Sequence, residues 1–348
     1  MKLYLLIIIL VNSFVTSNAQ TTDVLTGLNT PVQINLNGSE LYISEFNGGK
    51  ITKIDINAMT ASATTVVDGL ITPDGIAFDG TNLYIVQANI GKISKINLNA
   101  STPILTDVVS GLTSPRGIAL YGTNLYIAEI GANKISKIDI SSPTPIATDF
   151  VTGINGPFGI LINGNELYIT ARNSNKISKI DLNATIPILI DVIIGLNLPL
   201  GIAINGAILY IAESGANKVS KINLNETSPT TIDVISGLNL PIGLAVYGNE
   251  LFISESVANK IVKYDLSPLS ADDFSSSNII KIYPNPATNF IEISGLKKIT
   301  TYYIYNCLGF KIKSGNILNQ EKIDVENLVN GLYLLELDNG MTTKFIKK

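Results

Sequence analysis

Gly-Leu or Gly-Ile recurs at Gly27, Gly69, Gly111, Gly153, Gly195 and Gly237, and a proline follows each time, at Pro31, Pro73, Pro115, Pro157, Pro199 and Pro241. The spacing is 42 residues throughout, with no insertion. A repeat this strict is one supersecondary unit copied along the chain. Each unit reads as a "GIA"-type, a "NLYIAE"-type, a "KISKID"-type and a "TDVVSG"-type strand, rich in Ile, Val and Tyr and separated by Gly, Asn and Pro. Four short strands in about 40 residues make one blade of a β-propeller.

The last repeat stops one strand short, after "KIVKYDL" near Leu266, and the missing strand stands at the other end of the chain. "TDVLTGL", Thr22 to Leu28, aligns with "TDVVSGL", Thr106 to Leu112. Pairing of this strand beside Lys260 to Asp265 closes a ring of six four-stranded blades and removes an exposed strand edge. The expected fold is therefore all-β, a six-bladed propeller over residues 20–266.

At the N-terminus, Lys2 precedes the apolar run Leu3 to Val11, and Ser17-Asn18-Ala19 is a small-x-small cleavage pattern. This reads as a signal peptide over residues 1–19. The apolar run is shorter than the roughly 20 residues needed to span a bilayer. The mature chain is expected to carry no membrane span, because the apolar stretch around Ile186 to Ala212 is interrupted by Asp191 and two prolines and belongs to the repeat. Residues 267–278, "SPLSADDFSSSN", form a linker by composition. New words follow: "KIYPNPATNFIEI", "YNCLGFKIKSG" and "DVENLVNGLYLLELDNGMTTKFIKK", whose alternation and Gly turns suggest a small antiparallel β-sandwich.

These three motifs, in this order, resemble the type A sorting domain of the type IX secretion system of Bacteroidetes, over residues 279–348. The resemblance implies passage through the periplasm, handling by the type IX machinery, and release or attachment at the outer cell surface. Cys307 in "YNCLG" is expected to be a buried small residue, since a lone cysteine in a chain without histidine is no activated nucleophile. The propeller, by its "P-x-G-I-A … NLYIAE … NKISKID" cadence, resembles NHL-repeat proteins and the gluconolactonase-like and strictosidine-synthase-like families. Those families include binding modules for proteins, RNA, sugars and lipids as well as metal-dependent hydrolases, so the cadence identifies a scaffold more than an activity.

Charge and residue inventory restrict the function. Residues 20–268 hold 14 Lys plus Arg against 20 Asp plus Glu, and 12 of the 14 are two lysine columns repeated in every blade, from Lys50 and Lys53 to Lys260 and Lys263. Cations spread evenly around a ring, with no aromatic platforms, do not make a nucleic-acid surface. Without histidine there is no Ser-His-Asp or Cys-His arrangement, and zinc loses its nitrogen ligands. No cofactor is expected, although Ca2+ is compatible with this inventory because a hard cation needs only oxygen donors. The column ending the second strand is Glu45, Gln87, Glu129, Ala171, Glu213 and Glu255, and each glutamate precedes a column lysine by five residues across a hairpin turn, so a local ion pair, worth about 0–1 kcal/mol if exposed, explains it without a metal.

Departures from the repeat are better markers of a site. The position after the repeat proline holds Val32, Asp74, Arg116, Phe158, Leu200 and Ile242, and the propeller's only arginines, Arg116 and Arg172, belong to loops on one face of the ring. A guanidinium suits a carboxylate or phosphate. The candidate ligand site is thus Asp74, Gln87, Arg116, Glu129, Phe158 and Arg172 on the loop face; a structural Asp74–Arg116 pair between neighbouring blades is the competing explanation. The functional reading is an exported binding module for an extracellular glycan, peptide or small anion. A divalent-metal-dependent hydrolase of the lactonase type and a purely structural surface protein are the alternatives.

Overall fold

The computed structural model describes residues 21–58, 62–267, 281–294, 296, 299–306, 310–338 and 342–348. The expected signal peptide over 1–19, the expected linker over 267–278 apart from Ser267, and Cys307 lie outside the described residues. The chain divides into two compact units, Met1–Leu266 and Ser267–Lys348.

The first unit is a six-bladed propeller of four-stranded antiparallel sheets. Blade 3 shows the plan, with strands Pro115–Tyr121, Asn124–Glu129, Lys134–Asp139 and Thr148–Thr152 running outward from the axis. Its hairpins turn where the sequence supplies left-handed residues, Gly122 at φ 59° and Asn133 at φ 53°. Asn or Gly stands at every equivalent of position 133, because larger side chains clash in that conformation. The second strand, "NLYIAE", is buried on both faces from Leu125 to Glu129, since each blade is covered by a neighbour on either side. The core is accordingly a set of clusters between blades; Tyr84, Val86 and Ile93 of blade 2, for example, pack with Ile118, Leu125 and Ile127 of blade 3.

Blade 6 is completed by the N-terminal strand. Thr22–Thr26 pairs antiparallel with Lys260–Asp265, placing Thr22 opposite Lys263 and Thr26 opposite Lys260. Val24 and Leu25 pack against a cluster shared by blades 6 and 1, which includes Leu41, Ile43, Phe252 and Ile261. A strand whose residues stand 234 to 241 positions from their partners in sequence thus closes the ring.

Two local features aim side chains at the axis. The first strand of each blade pairs with the second at its proline, loses register over the next two residues, and resumes at the fourth, as at Pro115 and Ile118. The residue after the proline is thereby released from the ladder. The next position is glycine in five blades, and neighbouring backbones come close there: a Cβ on Gly201 would lie 2.0 Å from the Ile242 carbonyl oxygen. Blade 1 carries Gln33 at that position instead.

The second unit contains a three-stranded and a four-stranded antiparallel sheet, built from Lys281–Tyr283, Phe290–Ser294 and Lys322–Asp324, and from Thr300–Asn306, Lys311–Ile317, Gly331–Leu337 and Thr342–Lys347. Ile291, Ile293, Ile304, Leu335 and Phe345 form its buried core.

Candidate functional site

On the loop face, the residue after each repeat proline points to the mouth of the central channel. Val32, Phe158, Leu200 and Ile242 form one buried apolar cluster there, joined by Phe46, Ile130 and Leu240. Blades 2 and 3 interrupt this ring with charge. The Asp74 carboxylate is fully buried, and its Oδ2 accepts a hydrogen bond from Arg116 Nη1 at 2.9 Å. Burial pushes the Asp74 carboxyl above its ordinary value, while the Arg116 charge and hydrogen bond act in the opposite direction.

Arg116 reaches across the mouth. Its guanidinium carbon stands 5.5 Å from the centre of the Phe46 ring in blade 1 and 5.9 Å from that of Phe158 in blade 4. The Arg172 guanidinium carbon lies 5.8 Å from the same Phe158 ring. Two cations therefore share one aromatic ring, an arrangement in which the ring faces favour each cation while the cations repel one another. Burial and the Arg116 charge both pull Arg172 below its ordinary value, yet a guanidinium stays protonated. Among the described residues no carboxylate pairs with Arg172. Asp74 Oδ1 and the Nε atoms of Arg116 and Arg172 are buried without hydrogen-bond partners, as is Gln33 Nε2.

Asp74, Arg116, Phe158 and Arg172 are thus brought together. Gln87 and Glu129 are occupied elsewhere. Glu129 Oε2 accepts the Thr113 N–H at 2.7 Å and its Oε1 accepts from Ser136 Oγ; Gln87 Oε1 accepts the Ile71 N–H at 2.9 Å while its Nε2 donates to Ser94 Oγ. Glu45, Glu213 and Glu255 hold the N–H groups of Asn29, Asn197 and Asn239 in the same way. The column clamps the turn that opens five of the six blades. Its glutamates lie almost wholly buried, and the expected local ion pair with the lysine five residues on is formed at 3.3–3.5 Å in all four blades that carry a glutamate. The lysine partner is real but secondary: Lys134 stands 3.5 Å from Glu129 and 2.6 Å from Asp149. A buried carboxylate is tolerable here because a backbone amide, a hydroxyl and an ammonium surround it. In blade 4 the clamp is missing at Ala171, and the left-handed position of the turn is there a glycine, Gly156 at φ 69°, where the other blades hold Thr, Ser or Leu at φ 47–56°.

These carboxylates do not form a calcium-type cage, since each points into its own turn; among the described residues no three of Asp, Glu, Cys and His converge. Sequence reasoning missed Phe46 and Gln33. Both are departures from their columns: Phe46 aligns with Ala88, Ile130, Arg172, Ser214 and Ser256, and Gln33 aligns with five glycines.

The comparisons with known proteins bear on both units. Residues 281–348 match the family model of the secretion system C-terminal sorting domain. The second unit is that domain. It marks the chain for secretion and cell-surface attachment through the type IX machinery. No helix among the described residues is long and apolar enough to cross a membrane. No curated protein matches the chain by sequence. Among solved structures, the chain is similar to one in a nidogen–laminin complex, at 20% identity and TM-score 0.56, over 66% of this chain and 89% of that one. A virginiamycin B lyase from Staphylococcus aureus matches at 15% identity and TM-score 0.51, over 79% and 94%. A putative gluconolactonase matches at 10% identity and TM-score 0.59, over 72% and 92%. At these identities the likeness establishes the propeller fold alone.

Proposed function

We propose that the exported propeller is a binding module whose loop face holds an anionic ligand between Arg116 and Arg172. One observation carries the reading: the two arginines, the only ones in the 348-residue chain, stand against a single phenyl ring, and one buried aspartate answers only one of them. The cluster carries a net positive charge within a propeller that is acidic as a whole. An incoming carboxylate or phosphate relieves the repulsion between the guanidiniums and meets planar donors suited to it.

Hydrolytic and lyase chemistry is less well supported. The lyase relative is catalytically inactive once a histidine is changed to alanine, and this chain has no histidine. The glutamates that a hydrolase would use are engaged by backbone amides.

The test is a comparison at equal net charge. Affinity for galacturonate or inorganic phosphate is measured for Arg172→Gln and for Lys137→Gln, a lysine of the repeated columns placed over Phe150. Loss of a charge-assisted hydrogen bond of about 1.5–3 kcal/mol predicts at least a roughly tenfold weakening in the first. The second should be unaffected. Equal responses would mean that only the general charge of the protein is sensed.

A further inference from the structure

The mouth of the channel is already filled. Val32, Phe158, Leu200 and Ile242 are only 5–7% exposed, and the Arg116 guanidinium stands against the Phe46 and Phe158 rings. Beneath them the channel holds a cavity of about 80 Å³, lined by Gln33, Ile34, Gly75 and Gly117 among others. Pockets that enclose a small molecule run to about 300–1,000 Å³. The arginines therefore meet a ligand from outside, as points on a nearly level face.

The groups beside them on that face are carboxamides. Asn155 and Asn173 of blade 4 and Asn197 of blade 5 are all exposed, and all belong to the loops that carry or adjoin Arg172. Asn173 Nδ2 reaches Asn155 Oδ1 only at 3.4 Å, a weak bond that a better partner displaces. Each carboxamide offers two donors and an acceptor, the complement of vicinal hydroxyls. An extended peptide would instead seek an open strand edge for its backbone. The open edges of this propeller belong to the outermost strands, such as Thr148–Thr152, on the perimeter and away from the mouth.

Resting on the anion-binding reading, we infer that the ligand is an acidic polysaccharide lying across the loop face, with a uronate-type carboxylate on Arg116 and Arg172 and its hydroxyls on Asn155, Asn173 and Asn197. The acidic remainder of the propeller does not prevent this, because at physiological salt charges are screened beyond about 8 Å. The same acidity confines binding to the arginine sector.

Affinity electrophoresis of the full chain in gels containing polygalacturonate, dextran or poly-glutamate tests the inference, with folding of each variant checked by circular dichroism. Polygalacturonate should retard the protein and dextran should not; Arg172→Gln should weaken the retardation about tenfold. The double variant Asn155→Ala/Asn173→Ala should weaken it about threefold or more, and poly-glutamate should bind about tenfold more weakly than polygalacturonate. Equal retardation by poly-glutamate, with no effect of the asparagine substitutions, would overturn the polysaccharide and leave a simple anion site. If neither polyanion nor free galacturonate responds to Arg172→Gln, the anion-binding reading itself falls.

Discussion

The Asp74–Arg116 pair separates a functional from a structural origin of the site, and the repeat itself supplies the control. Where blades 2 and 3 have Asp and Arg, blades 1, 5 and 6 have Val32, Leu200 and Ile242, packed together with Phe158. The double variant Asp74→Val/Arg116→Leu extends that apolar ring with residues the scaffold already accommodates. Removing one partner of a buried ion pair costs about 3–5 kcal/mol, whereas replacing both with packed apolar residues is neutral or stabilising by about 1–4 kcal/mol. Asp74 is wholly buried, but the Arg116 side chain is 21% exposed and can hydrate in part, which places Asp74→Val near the lower end, at about 3 kcal/mol. For a domain of this size that is a fall in melting temperature of roughly 6–12 °C. The double variant should melt at or above the wild-type temperature and yet lose the response to anions. The assay is thermal and urea unfolding followed by circular dichroism, with the four proteins of the cycle. If the double variant is as unstable as Asp74→Val, the pair is a structural tie between blades and its value as a marker of function disappears.

Three further outcomes follow from the geometry. Removing residues 21–27 should lower the stability of the propeller by several kcal/mol, since it deletes backbone hydrogen bonds of about 1 kcal/mol each and the packing of Val24 and Leu25; an unchanged melting temperature would show that the ring does not need this strand. Gly201→Ala should destabilise by about 1–3 kcal/mol, because the new methyl meets the Ile242 carbonyl at 2.0 Å, while Gln33→Gly should cost little, and the two are compared by urea unfolding. The buried Asp74 carboxyl sits above its ordinary value, so its ionised form costs stability at neutral pH, and that cost is relieved as pH falls from the raised value towards the ordinary carboxylate range; relative to Asp74→Asn, the wild type should gain stability on acidification, and a relative loss in unfolding curves between pH 7 and 4 would contradict the assignment.

The ring was legible because its determinants are local and repeated. A 42-residue register with Asn or Gly at each left-handed turn leaves one arrangement of strands, and the match of Thr22–Leu28 to Thr106–Leu112 identifies the closing strand without any knowledge of contacts. The grouping of Asp74, Arg116, Phe158 and Arg172 was legible for a related reason, since departures from a repeat occupy known places on the ring. What escaped was the destination of side chains. Glu129 and Lys134 do stand opposite each other across a hairpin and within 3.5 Å, but the other oxygen of the Glu129 carboxylate takes the Thr113 amide, 16 residues earlier, and satisfies an N–H that the spacing of the hairpin does not reveal. Phe46 escaped because its contact with Arg116 crosses the axis between blades that are not neighbours, and no local spacing encodes such a contact.

The central claim, that an anion is held by Arg116 and Arg172 together, has a direct measurement because the chain has no other arginine. A proton–nitrogen correlation spectrum of the arginine Nε–Hε groups contains two signals, assigned by Arg172→Lys. Titration with galacturonate or polygalacturonate at constant ionic strength should move both signals together and saturably, with one affinity, and Asp74→Val/Arg116→Leu should abolish the response of the remaining signal. Saturable binding that leaves both signals in place would put the ligand elsewhere on the protein and contradict the account.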